Sequence, residues 1–189
     1  MYSRKEIFSI PNILGYFRIL LIPVFMTLYF KAEKPSDYFA AAVVVGISSL
    51  SDMFDGLIAR KFNMITELGK FIDPLADKLT QGALIVCFVA RYPLMWLLVG
   101  IYIVKEGFMA VMGLVMLSHN GRKLDGAKWF GKVSTALLYI TMFIFLLIPT
   151  MDIKLVNGLI CLSAFAMVFT LIAYIPVFIK MYKQPPIEG

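Results

Sequence analysis

Apolar residues run through the chain in six long stretches, at roughly 11–31, 37–60, 73–91, 94–117, 130–149 and 155–179, divided by short polar connections. A helix rises 1.5 Å per residue and needs about 20 apolar residues to cross a bilayer, so each stretch predicts a transmembrane helix. The fold class read from this pattern is an all-α integral membrane protein, a single domain over residues 1–189 with six transmembrane helices. Tyr2 to Phe8, where Arg4, Lys5 and Glu6 lie among apolar residues, reads as a short interfacial helix within residues 1–9. The tail 183–189, rich in proline, reads as disordered. The first stretch is long, contains Arg18 and lacks a small-x-small cleavage site, which predicts a retained span rather than a signal peptide. Pro11-Asn12 opens it, and Pro23 is expected to bend it.

Composition supports the membrane class, since 60% of the 189 residues are hydrophobic, against about 45–50% in soluble domains. The net charge of +6 gains meaning from its placement. One set of connections and chain ends carries Arg4, Lys5, Arg60, Lys61, Lys70, Arg122, Lys123, Lys128, Lys180 and Lys183, whereas the opposite set carries Lys31, Lys34, Arg91 and Lys154. The positive-inside rule then puts both termini in the cytoplasm. Basic residues at that surface meet anionic lipid headgroups at about 1 kcal/mol each, and no basic-aromatic array points to nucleic acid.

The apolar pattern is broken most sharply at Asp52, Asp55, Asp73 and Asp77. A carboxylate in hydrocarbon costs roughly 2.5–3.5 kcal/mol on insertion scales, so four together call for cationic partners. At helical spacing Asp52, Asp55, Gly56 and Ala59 share one face, and Asp73 and Asp77 share a face of the next helix. Carboxylate oxygens at this density suit Mg²⁺ or Mn²⁺. A single histidine and two cysteines argue against zinc. Two divalent ions would balance four carboxylates. Gly56 and Ala59 leave room for a bulky ligand or its phosphates at the helix backbone, and Arg60 adds a bidentate phosphate donor. Arg18, Lys105 and Glu106 fall at a similar depth in their own spans, which predicts a polar cavity open to the cytoplasm.

The array Asp52-x2-Asp55-Gly56-x2-Ala59-Arg60-x8-Gly69-x3-Asp73-x3-Asp77 resembles the signature of the CDP-alcohol phosphotransferase family at every position. The resemblance implies transfer of a phosphatidyl group from CDP-diacylglycerol to an alcohol, with release of CMP. It implies that Asp52, Asp55 and Asp73 are metal ligands for two divalent cations, Mg²⁺ or Mn²⁺. Asp77 corresponds to the general base and also touches metal. Gly56, Ala59, Arg60 and Gly69 correspond to the cradle of the nucleotide diphosphate. The family also implies a homodimer formed through membrane helices.

The variant Asp73-Pro74-Leu75-Ala76-Asp77-Lys78 resembles members that accept glycerol 3-phosphate or phosphatidylglycerol, and Ile10-Pro11-Asn12 and Gly131-Lys132-x-x-Thr135 agree. An anionic acceptor needs cations, for which Arg18, Lys78, Lys105, Arg122 and Lys132 are the candidates. Arg122 equally serves as a positive-inside anchor. The fourth helix departs from the phosphatidylglycerophosphate synthase pattern, with Val104-Lys105-Glu106 where Ala-Arg-Glu is usual; lysine keeps the charge but loses the bidentate fork. Cardiolipin synthesis, with phosphatidylglycerol as acceptor, is therefore the nearest alternative. A divalent-cation transporter is a remote one, because the charges sit away from the midplane and no inverted repeat is visible. Ser48, Ser49 and Ser51 read as close-packing positions, Cys87 and Cys161 as unpaired packing residues, and His119 as part of a surface turn before Asn120-Gly121.

Overall fold

The computed structural model describes residues 8–62, 66, 68–122, 124 and 126–185, with Ala59, Arg60 and Lys70 described by backbone alone. The expected interfacial helix, the end of the tail and the side-chain roles of Ala59 and Arg60 lie outside the described residues.

Six α-helices carry the described chain: α1 (Ile10–Lys31), α2 (Tyr38–Lys61), α3 (Gly69–Val89), α4 (Met95–Asn120), α5 (Trp129–Leu147) and α6 (Ile153–Tyr182), with a 3-10 turn at Pro35–Asp37 before α2. Their ends follow local chemistry. Pro11 occupies the first turn of α1, where a missing N–H costs nothing. Asp37 accepts hydrogen bonds from the backbone N–H groups of Lys34 at 2.9 Å and Glu33 at 3.1 Å, fixing the turn that feeds α2. Gly121, at φ 69°, ends α4 in the left-handed region that favours glycine. Asp152 caps α6 by accepting from the Lys154 N–H at 2.8 Å.

Five helices are long and apolar enough to cross a membrane, as an integral membrane protein requires. The exception is α3, whose first ten residues include Lys70, Asp73, Asp77 and Lys78. Charge, not length, sets it apart, because its 21 residues suffice for a crossing.

The chain divides into two compact units, one containing the residues up to Arg91 with Met142–Met151, the other Tyr92–Thr141 with the residues from Asp152 onward. In the first, α1 packs against both α2 and α3. Ala41, Val45 and Ser48, spaced along one face of α2, are buried, as the close-packing reading of the serine run anticipates for Ser48. The core ends in an aromatic cluster: Tyr29 meets Phe88 edge-on at 5.1 Å, and Phe88 meets Phe145 at 5.5 Å. Arg91 caps that end, standing 4.8 Å from the Tyr38 ring centre and donating to the Pro149 carbonyl.

In the second unit α4 packs on α6. Met116, Tyr174 and Phe178 form its buried cluster. Gly131 lies beneath Tyr174, and a Cβ there would stand 2.6 Å from the phenol oxygen, which also accepts the Lys128 N–H at 3.1 Å. His119 belongs to the last turn of α4 and stacks on Tyr182 with ring centres 4.0 Å apart. The helix therefore continues three residues past the boundary at 117, until Gly121 permits the turn. Both cysteines are free, Cys87 buried and Cys161 exposed.

Candidate active site

Three helices of the first unit meet at one guanidinium. Arg18 sits midway along α1, and its side chain is only 3% exposed. One terminal nitrogen, Nη1, donates to Oδ1 of Asp52. The other, Nη2, lies 3.1 Å from Oδ2 of Asp55 and 3.5 Å from Oδ1 of Asp73. The acidic faces of α2 and α3 thus meet around a residue of α1. Helical spacing explains the convergence, because Asp52 and Asp55 are three apart and project from the same side of α2.

Burial gives the cluster a direction. Asp55 is as enclosed as Arg18, at 4% side-chain exposure, whereas Asp52 and Asp73 are 52% and 43% exposed. The inner side is therefore sealed by the arginine while the outer carboxylates remain reachable. Three carboxylates against one guanidinium leave a surplus of two negative charges.

Asp77 lies one helical turn beyond Asp73 on α3. Its Oδ2 accepts a hydrogen bond from Nε2 of Gln81 at 3.0 Å, and Gln81 is itself 1% exposed. Gln81 was not among the residues singled out from the sequence. The available signal was its position four residues after Asp77, where an amide reaches back along the same helix face.

A second bracket sets the start of α3. Asn12, fully buried on α1, accepts at Oδ1 from the Thr66 hydroxyl at 3.1 Å, and that hydroxyl oxygen in turn accepts the Gly69 N–H at 2.9 Å. A Cβ on residue 69 would come within 2.6 Å of Asn12 Oδ1 and 3.0 Å of Thr66 Oγ1. Gly69 is thus required by packing at the foot of the acid-bearing helix. Gly15 is required similarly, since a Cβ there would stand 2.6 Å from the Ile72 side chain, next to Asp73. Close approach of α1 to α3 carries Arg18 into reach of Asp73.

The sequence profile of the CDP-alcohol phosphatidyltransferase family matches residues 8–179. The chain belongs to this family. Curated relatives called CDP-diacylglycerol--glycerol-3-phosphate 3-phosphatidyltransferase occur in Escherichia coli strain K12, Escherichia coli O157:H7 and Shigella flexneri serotype 5b. Each is 32% identical over 130 residues, covering 68% of this chain and 71% of the relative. A CDP-alcohol phosphatidyltransferase is a phospholipid-synthesising membrane enzyme, and the helices described above supply the membrane part.

The family profile spans α1 through most of α6, so it includes both the acid cluster and the cations expected to hold an acceptor. Of those cations, Arg18 is engaged by the acids, and Lys78 follows Asp77 on α3, half-buried. Lys105, Arg122 and Lys132 belong to the second unit. Lys105 is 6% exposed and pairs with the neighbouring Glu106 at 2.6 Å, which meets its need for a partner inside a span. The Arg122 guanidinium donates to the Pro185 carbonyl at 3.2 Å, while Asn120 donates to the Met181 carbonyl at 2.8 Å, tying the end of α4 to the end of α6. Lys132 is exposed.

Divalent ions are implied by the resemblance, and the donor chemistry fits them. Asp52, Asp55 and Asp73 present hard carboxylate oxygens to one small region that has a net negative charge and an open outer side. As they stand, no three acidic, histidine or cysteine side chains among the described residues are placed to share one ion. Arg18 occupies the space between the carboxylates.

Proposed function

We propose that this CDP-alcohol phosphatidyltransferase moves a phosphatidyl group from CDP-diacylglycerol to sn-glycerol 3-phosphate, forming phosphatidylglycerophosphate and CMP. The observation that carries the reading is the convergence of Asp52, Asp55 and Asp73, with Asp77 one turn further along α3. The activity for which the relatives are named, together with Asp73-Pro74-Leu75-Ala76-Asp77-Lys78, favours glycerol 3-phosphate as acceptor.

Asp52, Asp55, Asp73 and Asp77 would hold two divalent cations, Mg²⁺ or Mn²⁺. Bound there, such ions supply charge neutralisation on the diphosphate and on departing CMP. By the resemblance, Gly56, Ala59, Arg60 and Gly69 belong to the cradle of the diphosphate, Gly69 by letting α3 start against Asn12. Asp77, oriented by Gln81, accepts the proton of the acceptor hydroxyl as its oxygen bonds to the phosphorus carrying diacylglycerol. The bond from that phosphorus to the bridging oxygen breaks, and CMP leaves with the bond electrons. Arg18 and Lys78, in the unit that carries the acids, supply positive charge for the acceptor phosphate; Lys105, Arg122 and Lys132 are candidates for that role by charge alone. The acyl chains of the donor stay in the bilayer. By the positive-inside rule the termini and the site face the cytoplasm, where soluble acceptor is found. The functional form is a homodimer, as the resemblance implies.

The test is CMP release from CDP-diacylglycerol by the purified protein with Mg²⁺ or Mn²⁺, with glycerol 3-phosphate, phosphatidylglycerol, inositol, inositol phosphate or serine offered separately and EDTA controls. Stimulation by glycerol 3-phosphate, lost in EDTA, is the expected result. Stimulation by phosphatidylglycerol instead would transfer the assignment to cardiolipin synthesis. Metal-independent release would overturn the role given to the four aspartates.

A further inference from the structure

Arg18 does more than satisfy one buried acid. Its two terminal nitrogens reach carboxylates on two different helices, while its Nε is buried with no hydrogen-bond partner. A fork fixed permanently on carboxylates would be expected to use all its donors, because leaving one buried and unpaired costs free energy. The oxygens it contacts, Oδ1 of Asp52, Oδ2 of Asp55 and Oδ1 of Asp73, are the ones turned to the space the three carboxylates share, which an ion bridging them would enter. A guanidinium and an ion cannot share all of them.

We propose that Arg18 is the resident counter-ion of the acid cluster, holding Asp52, Asp55 and Asp73 together when divalent ions are absent and releasing carboxylate oxygens when they bind. Arg18 therefore sets the metal affinity of the site and steadies α1, α2 and α3 in the metal-free protein. The inference rests on the metal-binding reading given above. Its physical basis is charge. Without Arg18, three carboxylates repel one another at close range, and a divalent ion entering the cluster no longer meets a positive group there. Once displaced, the fork has donors available for an anionic group of the substrate.

The test compares wild type with Arg18→Gln and Arg18→Lys, each as the full chain in detergent. Mn²⁺ binding is followed by the electron paramagnetic resonance signal of free Mn²⁺, and thermal unfolding is measured in EDTA and in saturating Mn²⁺. Arg18→Gln is expected to bind Mn²⁺ about tenfold or more tightly, in keeping with loss of a unit charge at contact distance. It is also expected to melt well below wild type in EDTA and to recover most of the difference in Mn²⁺. Arg18→Lys keeps the charge but loses the fork, so its affinity should rise about threefold. A merely structural arginine would lower the melting temperature equally in both conditions and leave Mn²⁺ affinity unchanged, which overturns the proposal. If Arg18→Gln folds in neither condition, Arg18→Lys decides, and binding no tighter than wild type overturns the proposal. Wild type without saturable Mn²⁺ binding would sink the metal-binding reading as well.

Discussion

The two ends of the first unit share α1 and α3 and are held by opposite chemistry. Around Tyr29, Phe88 and Phe145, rings pack edge to face, and the cluster is stable without any further component. Eleven residues earlier on α1, roughly 16 Å along its axis, Arg18 faces three carboxylates and cannot neutralise them. The first end is complete as folded, whereas the second has a negative surplus and a half-exposed rim. That asymmetry separates an end that is complete in itself from the end proposed to receive ligand.

Neutralising one acid should separate the two ends most clearly. Asp52→Asn or Asp73→Asn is expected to reduce CMP release on the order of a thousandfold, about 4 kcal/mol of barrier. The same change should lower the melting temperature in EDTA far less than Arg18→Gln does, because Arg18 keeps two carboxylate partners and repulsion among the acids is relieved. Near-normal turnover would break the assignment, and a large drop in melting temperature would mean that the acids are structural.

The aromatic end should give the converse result. Phe88→Ala is expected to cost about 3–5 kcal/mol of stability, by loss of apolar burial and creation of a cavity. Turnover per folded molecule, measured below the melting transition, should be retained. A comparable loss of turnover would show that the two ends are not separable.

Asp77→Asn tests the proton transfer within the acid end. Transfer should fall about a hundredfold or more, as loss of a general base does, while binding of CDP-diacylglycerol persists. Retained transfer would reject Asp77 as base.

Gly69→Ala probes the bracket that positions α3. The added methyl meets Asn12 Oδ1, and overpacking of this kind costs about 1–3 kcal/mol. Adding Asn12→Ala should relieve part of the clash, which a double-mutant comparison of melting temperatures would reveal. The smallest expected effect is that of Lys105→Gln, a rise of about tenfold in KM for glycerol 3-phosphate with KM for CDP-diacylglycerol little changed. Equal rises for both substrates would assign Lys105 to folding, through Glu106, rather than to the acceptor.

The helices were largely legible because apolar runs of membrane length have few alternatives to helix. Boundaries were less so. The start of α3 at Gly69 rather than 73 depends on Thr66 just before the helix and on Asn12, distant in sequence, which holds it. The extension of α4 to Asn120 depends on the backbone conformation available to Gly121. In the site, the four aspartates announced themselves by charge and spacing, and Gln81 could have been found by the same spacing argument. The partnership of Arg18 with three of them could not, since depth within a span does not say which way a side chain on another helix points.

From sequence alone, then, come the membrane class, the six helices, the family signature and the chemical kind of the site, all of which follow from local hydrophobicity and from spacing along a helix of known pitch. The tertiary structure decided that Arg18 would be the cation among the acids, that Asp55 would be enclosed while Asp52 and Asp73 stayed open, and that Gly15 and Gly69 would let α1 approach α3. Those outcomes depend on the rotation and separation of packed helices. No periodicity within a single helix encodes them.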